Sequence, residues 1–345
     1  MRHEHGGNIY KRKCSYDFSA NINPLGMSED IKKAYMNAFS MCENYPDPEC
    51  TELRKLLSKK ENIDFDRIIC SNGAAELIFA ICFYLKPKKA LLPAPCFAEY
   101  EQALLSSGCE VEKYVLKEEK EFIFDECFIE SITDDTDIVF FTNPNNPTGI
   151  AMGKSYVKKI IDRCVKTNTY LVLDECFVDF IRNGSEFSAK EYINEGNIVI
   201  LKAFTKFYSM PGLRLGYGLF SSKEFAENVR GFLQTWNVST PAQEAGKAAL
   251  KEDIEEETLN YIEKEKNYLI ESMTSLCKKI YGKSANFIFF KESKNFGEEM
   301  FKRGIMVRSC KNYYSLDESF YRIAVRTHEE NEKLIETWKD IKRSL

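Results

Sequence analysis

The amino-acid sequence predicts a doubly wound, mostly parallel α/β sheet with a smaller α+β region after it. Three observations lead there. Between Ile68 and Leu201, short apolar runs rich in β-branched and aromatic residues alternate with helical segments, the pattern of a parallel sheet covered on both faces. Polar and small residues gather just after those runs, at the edge where such a sheet binds ligands. After Gly218 the composition changes to long charged amphipathic helices and then to mixed strands and helices. We expect an N-terminal arm and part of the smaller domain at 1–44, a large domain at 45–245 and a small domain at 246–345.

The elements follow in order. His5-Gly6-Gly7-Asn8 pairs two glycines, which let backbone approach a ligand closely and leave amide donors exposed. The stretch from Asp17 to Gly26 is dense in Asn, Pro and Gly and marks an ordered turn. Ser28 starts a helix that runs to about Phe39, Tyr45-Pro46-Asp47 forms a turn, and Thr51 begins an amphipathic helix. Ile68-Ile69-Cys70 then passes through Ser71-Asn72-Gly73-Ala74-Ala75-Glu76 straight into an apolar helix ending at Leu85. Free amides at that helix start suit a phosphate; an ordinary turn capped by Ser71 or Asn72 is the plainer alternative.

A strand at Ala90-Leu91-Leu92 ends near Phe97, whose ring can lie against a flat ligand or simply pack in the core. A helix over 98–107 and a strand over 110–115 come next. Ile138-Val139-Phe140-Phe141 runs into Thr142-Asn143-Pro144-Asn145-Asn146-Pro147, a loop that two prolines stiffen and that presents Asn146 as a donor. A helix over 155–166 leads to a strand ending on Asp174 and Glu175. Ile198-Val199-Ile200-Leu201 ends in a polar turn holding Lys206, and Pro211-Gly212 delivers Arg214 into the next apolar run. Helices over 224–234 and 252–278, strands over 286–290, 305–308 and 321–325, a helix over 296–302 and a last helix from Glu329 complete the chain.

The 345 residues are 44% hydrophobic, enough for a sizeable core. A net charge of −5 without single-sign blocks points to neither nucleic acid nor a membrane surface as partner. Twelve scattered cysteines with no Cys-x-x-Cys pair read as reduced thiols. With no apolar signal core at the N-terminus and no stretch able to span a bilayer, the expected location is the cytoplasm. His3 and His5, with Cys14, are candidate ligands because a His-x-His spacing is chelating in an extended strand, but no second cluster completes a site and His328 is the only other histidine, so no metal is expected.

A lysine at the end of a buried strand forms a Schiff base with a carbonyl cofactor once desolvation or a nearby cation lowers its pKa. Arg214 supplies that cation and can hold a phosphate through its fork of donors. An aspartate such as Asp174 keeps a pyridine nitrogen protonated, so the set matches the demands of pyridoxal 5′-phosphate. Arg322 and Arg326 alternate with apolar residues, so both are expected on one face of a strand, binding a carboxylate and a second anion.

The order Asn72-Gly73-Ala74-Ala75-Glu76, Asn145-Asn146-Pro147-Thr148-Gly149, Asp174-Glu175 and Thr205-Lys206 up to Arg214 resembles the fold type I, aspartate-aminotransferase-like pyridoxal-phosphate enzymes over nearly the whole chain. That resemblance implies that Lys206 bonds the cofactor, Asp174 pairs with its ring nitrogen, Asn146 contacts its ring hydroxyl and Phe97 stacks on it. It also implies that the segment Gly73, Ala74, Ala75 and Glu76, with Thr205 and Arg214, holds the phosphate. Tyr45 is expected to reach the phosphate of a neighbouring subunit's cofactor, in a homodimer with shared sites. Phe177 stands where many relatives have a tyrosine, and Ala203 where they have a hydroxyl residue; each loss removes a hydrogen bond worth about 0.5–1.5 kcal/mol.

Within the family the chain is similar to the branch of histidinol-phosphate aminotransferases and L-threonine-O-3-phosphate decarboxylases. His5-Gly6-Gly7-Asn8, the Asp17 to Gly26 stretch, Phe177 and Val325-Arg326-Thr327 look more like the decarboxylases of the cobalamin pathway. The implied substrate is a small phosphorylated amino acid. Its expected contacts are His5, Gly7, Asn8, Asn23 and Asn146, with Arg308, Arg322 and Arg326 shared between phosphate and carboxylate. Transamination of histidinol phosphate is the alternative.

Overall fold

The computed structural model describes residues 5–344. After β1 (Tyr16–Asp17), seven strands build one sheet: β2 (Ile68–Ser71), β3 (Lys89–Ala94), β4 (Glu110–Val115), β5 (Ile138–Thr142), β6 (Tyr170–Asp174), β7 (Ile198–Ala203) and β8 (Gly216–Phe220). Their order is β2-β8-β7-β6-β5-β3-β4, and only β8 runs antiparallel to its neighbours. The expected mostly parallel, doubly wound sheet is therefore present.

Side chains of the central strands alternate between two apolar layers. Val139, Phe141, Leu171, Leu173, Ile198 and Ile200 face one layer, while Ile138, Phe140, Val172, Val199 and Leu201 face the other. Burial on both faces explains why these strands read as continuous apolar runs. The edge strand β4 differs: Glu110, Glu112 and Lys113 keep it wet and blunt its open side.

Five strands follow: β9 (Lys279–Ile280), β10 (Phe287–Lys291), β11 (Ile305–Met306), β12 (Arg308–Ser309) and β13 (Phe320–Ala324). The last region's sheet has the order β12-β13-β10-β9, entirely antiparallel. β1 pairs in parallel with β11, and Phe18 joins Leu269, Ile288, Ile323 and Trp338 in a third apolar cluster. The N-terminal segment thus packs against the C-terminal region.

Three sequence expectations change. The single strand over 305–308 is two: Ile305–Met306 pairs with β1, Val307 turns the chain, and Arg308–Ser309 joins the antiparallel sheet. A helix at Thr240–Ala249, started by a Ser239 cap with Pro241 in its first turn, is not among the expected elements; it buries mainly alanines and a glycine, so no large apolar residues mark it in the sequence. The next helix begins at Glu255 rather than 252 and ends at Thr274. Among the described residues no helix is long and apolar enough to cross a membrane.

Candidate active site

The C-terminal ends of β5, β6 and β7 open into a cavity of about 490 Å³, closed by the N-terminal arm and by β12 and β13. Its floor at one end is the start of the helix Ala74–Leu85. Gly73 is the N-cap, and no side chain caps that helix, so neither Ser71 nor Asn72 takes the capping role. The first-turn amides of Ala74 and Ala75 are left at the cavity wall. Gly73 has φ +78°, and a Cβ there would lie 2.5 Å from Nη2 of Arg214. Only glycine lets the guanidinium sit against this turn. β8 approaches equally closely, since a Cβ on Gly216 would be 2.4 Å from the Ala74 amide nitrogen. Arg214, Thr205 and these amides form a cradle sized and charged for a phosphate.

Glu76 does not join it. Its carboxylate accepts the Asn72 amide at 2.7 Å and Asn237 Nδ2 at 2.6 Å, which closes the loop from outside.

Lys206 sits in a short helix, Phe204–Phe207, rather than a polar turn. Asn23 pins that helix: its amide donates to the Lys206 carbonyl at 3.1 Å, its Nδ2 to the Phe207 carbonyl at 2.9 Å. Asn23 is thus consumed in placing the lysine and does not line the cavity, a correction to its expected substrate contact. Burial, then the positive charge of Arg322 and of Arg214, push the Lys206 ammonium down to about 8. The ring of Phe177 lies 6.0 Å from its Nζ. An amine tuned in this way is a nucleophile near neutral pH.

Asp174 ends β6 with its carboxylate turned into the cavity. Tyr100 donates to Oδ2 at 2.6 Å, and the Cys176 amide donates to Oδ1 at 2.9 Å. Phe97 lines the same space, edge-on to Tyr100 with centroids 5.6 Å apart. The Asn146 loop is held from behind by Asn145, whose Nδ2 donates to the Pro95 carbonyl and to Thr148.

Arg322 enters from β13. It donates through Nη1 to Asn146 Oδ1 and through Nη2 to the Ser19 carbonyl at 2.7 Å. Its Nε is buried and has no partner among the described residues. Arg308 lines the cavity beside it on β12, donating to Asn312 at 2.8 Å. Arg326 does not line the cavity. β13 stops at Ala324, so the alternation ends first, and Arg326 turns to Glu330 at 3.0 Å while its amide bonds Asn331.

The N-terminal arm folds over the opening. Gly6 lies so close to Ser19 that a Cβ would meet the Ser19 carbonyl oxygen at 2.1 Å, and the Gly7 amide donates to Ser19 Oγ at 2.7 Å. The glycines therefore allow approach to protein backbone, and the Gly7 donor is used rather than exposed. His5 and Gly6 line the cavity; His5 pairs with Glu99 at 2.9 Å. Asn8 points outward and closes a local turn with Lys11. Tyr45, 77% exposed, stacks on Trp236 at 4.1 Å, away from this cavity.

Sequence reasoning missed Asn21, Tyr100 and Thr142, which all line the cavity. Asn21 is 3% exposed, yet neither of its side-chain polar atoms has a partner among the described residues. Two orphaned polar atoms facing a cavity fit a polar ligand group there.

Comparison with known proteins gives a consistent picture. The family described as aminotransferase class I and II matches residues 15–337. The chain is 33% identical to a threonine-phosphate decarboxylase of Salmonella typhimurium, covering 98% of this chain and 96% of that protein. It is 35% identical to an adenosylcobalamin biosynthesis bifunctional protein of Leptospira interrogans, covering 98% of this chain and 41% of that protein. Its fold superposes on the crystal structure of the histidinol-phosphate aminotransferase from Clostridium acetobutylicum with a TM-score of 0.89 and 29% identity, over 96% of this chain and all of that one.

Proposed function

Because the chain belongs to the class I and II aminotransferase family, we propose that it decarboxylates L-threonine O-3-phosphate to (R)-1-amino-2-propanol O-2-phosphate in cobalamin biosynthesis. Its cofactor is pyridoxal 5′-phosphate, and the residues present fit that group. The Gly73 cradle with Arg214 suits the phosphate, Lys206 the aldehyde carbon, Asp174 the ring nitrogen, Asn146 the ring hydroxyl and Phe97 the ring face. When bound, the cofactor supplies an electron sink conjugated to the amino acid's Cα.

The observation that carries the reading is the pair of arginines under the folded arm. Arg308 and Arg322 line one cavity with His5 and Gly6, which gives two cationic forks for a substrate with two anionic groups. Arg322, bonded to Asn146 and nearer to Lys206 in its electrostatic effect, takes the carboxylate; Arg308, beside the arm, takes the phosphate. Holding both ends fixes which bond at Cα stands across the ring plane, and so which bond breaks. The arm excludes water from the cleavage step. Lys206 Nζ then delivers the proton that replaces the lost carboxylate at Cα.

Exposed Tyr45, Met36, Phe39, Phe232 and Trp236 leave apolar surface that a second copy would cover, which supports a homodimer with Tyr45 reaching the partner's site. The cytoplasm is the expected compartment, since all twelve cysteines are free thiols.

The test is to supply L-threonine O-3-phosphate to the pyridoxal-phosphate-loaded enzyme without any oxo acid. Aminopropanol phosphate and carbon dioxide are the expected products. Turnover only when histidinol phosphate and 2-oxoglutarate are given together would move the chain to the aminotransferases, the reading favoured by the 0.89 TM-score match.

A further inference from the structure

We propose that Tyr100 is a positioning residue that holds Asp174 as a carboxylate aimed at the cofactor's ring nitrogen. This rests on the assignment of Asp174 to that nitrogen. The phenol is fully buried, stacked on Phe140 with centroids 4.9 Å apart and set edge-on to Phe97. Its hydroxyl lies 2.6 Å from Asp174 Oδ2 and 2.8 Å from Thr142 Oγ1. Asp174 Oδ1 accepts the Cys176 amide at 2.9 Å. Each carboxylate oxygen thus has one protein donor and keeps one lone-pair direction toward the cavity.

A phenol suits this place better than a cationic donor would. It stabilises the carboxylate by a hydrogen bond without neutralising its charge, and that full charge then acts on the ring nitrogen. Burial and the neighbouring Asp174 push the Tyr100 phenol well above its ordinary range, so it remains a donor throughout the working pH. The other titratable groups facing Asp174 are the Cys176 thiol, also held protonated by burial and by Asp174, and the Lys206 amine across the cavity. Tyr100 and Phe97 lie three residues apart, one at the start and one in the first turn of the helix Ala98–Ser106, so a single helix start places both the aromatic face and the carboxylate's donor.

The experiment uses Tyr100→Phe, which keeps the ring stack and removes the hydroxyl. The dissociation constant for pyridoxal phosphate is expected to rise about tenfold, the effect of losing a hydrogen bond to a charged group. With the carboxylate no longer held in place, kcat should fall while KM for L-threonine O-3-phosphate changes little. Thr142→Val leaves the direct bond and should produce smaller changes in the same direction. A dissociation constant and kcat identical to wild type in Tyr100→Phe would reduce Tyr100 to packing and overturn the proposal. Asp174→Asn, measured in parallel, separates the two levels: unchanged cofactor binding there would overturn the Asp174 assignment itself. Should Tyr100→Phe fail to fold, 3-fluorotyrosine at position 100 keeps the ring and strengthens the donor. The dissociation constant for pyridoxal phosphate should then fall below that of wild type, and an unchanged constant would again overturn the proposal.

Discussion

Replacing Lys206 by methionine should stabilise the cofactor-free protein at neutral pH, even though it abolishes the chemistry. Burial and the two guanidiniums lower the Lys206 pKa from 10.5 to about 8. At pH 7 the amine is charged in both folded and unfolded states, and the folded state carries the cost of holding that charge in the cavity. The drop corresponds to about 3 kcal/mol, at most, because water in the cavity screens part of it. The sign follows from proton counts. Between pH 8 and 10.5 the unfolded chain binds the proton and the folded one does not, so wild-type stability rises with pH across that window. Methionine fills a similar volume without the charge. Urea unfolding of both proteins at fixed concentration should therefore show Lys206→Met more stable by about 2–3 kcal/mol at pH 7, with the gap closing toward pH 10.5. A variant that is less stable at pH 7, or a gap that does not change with pH, would refute the account of how Lys206 is tuned.

Three further outcomes follow from the same geometry. Gly73→Ala forces a Cβ to within 2.5 Å of Arg214 Nη2 at a positive φ, so pyridoxal-phosphate affinity, read by absorbance titration, should fall at least tenfold, while the melting point drops only modestly. Asn21→Ala removes two orphaned buried polar atoms; cofactor-free thermal stability should hold or rise, and ligand affinity measured by calorimetry should fall about tenfold. Arg322→Met loses the bonds to Asn146 and to the Ser19 carbonyl as well as the substrate's carboxylate, so kcat/KM should fall at least about a hundredfold in steady-state assays.

Much of this was readable because strand and site share one logic. An apolar run followed by Asp174, Asn146 or Lys206 declares both a buried strand and what its end presents, and the cavity brings these three together with Phe97, Arg214, Arg308 and Arg322. What escaped depended on direction or on partners distant in sequence. Asn21 and Asn23 look alike in a turn, and only the position of the lysine helix separates a cavity wall from a backbone clamp. Tyr100 reads as core on an amphipathic helix, and its hydroxyl gains meaning only when β6 brings Asp174 beside it. Arg326 was misjudged because a strand's last residue is weakly encoded, and two positions decide whether alternation still applies. The glycines of the arm do permit close approach, but to Ser19 rather than to a ligand.

The most direct test of the central claim follows one carbon atom. L-threonine O-3-phosphate labelled with ¹³C at the carboxylate would be supplied to the loaded enzyme, and the label traced by mass spectrometry. The account predicts all of the turned-over label in carbon dioxide and an unlabelled aminopropanol phosphate. Label retained in an oxo-acid product, with the amino group lost instead, would contradict it.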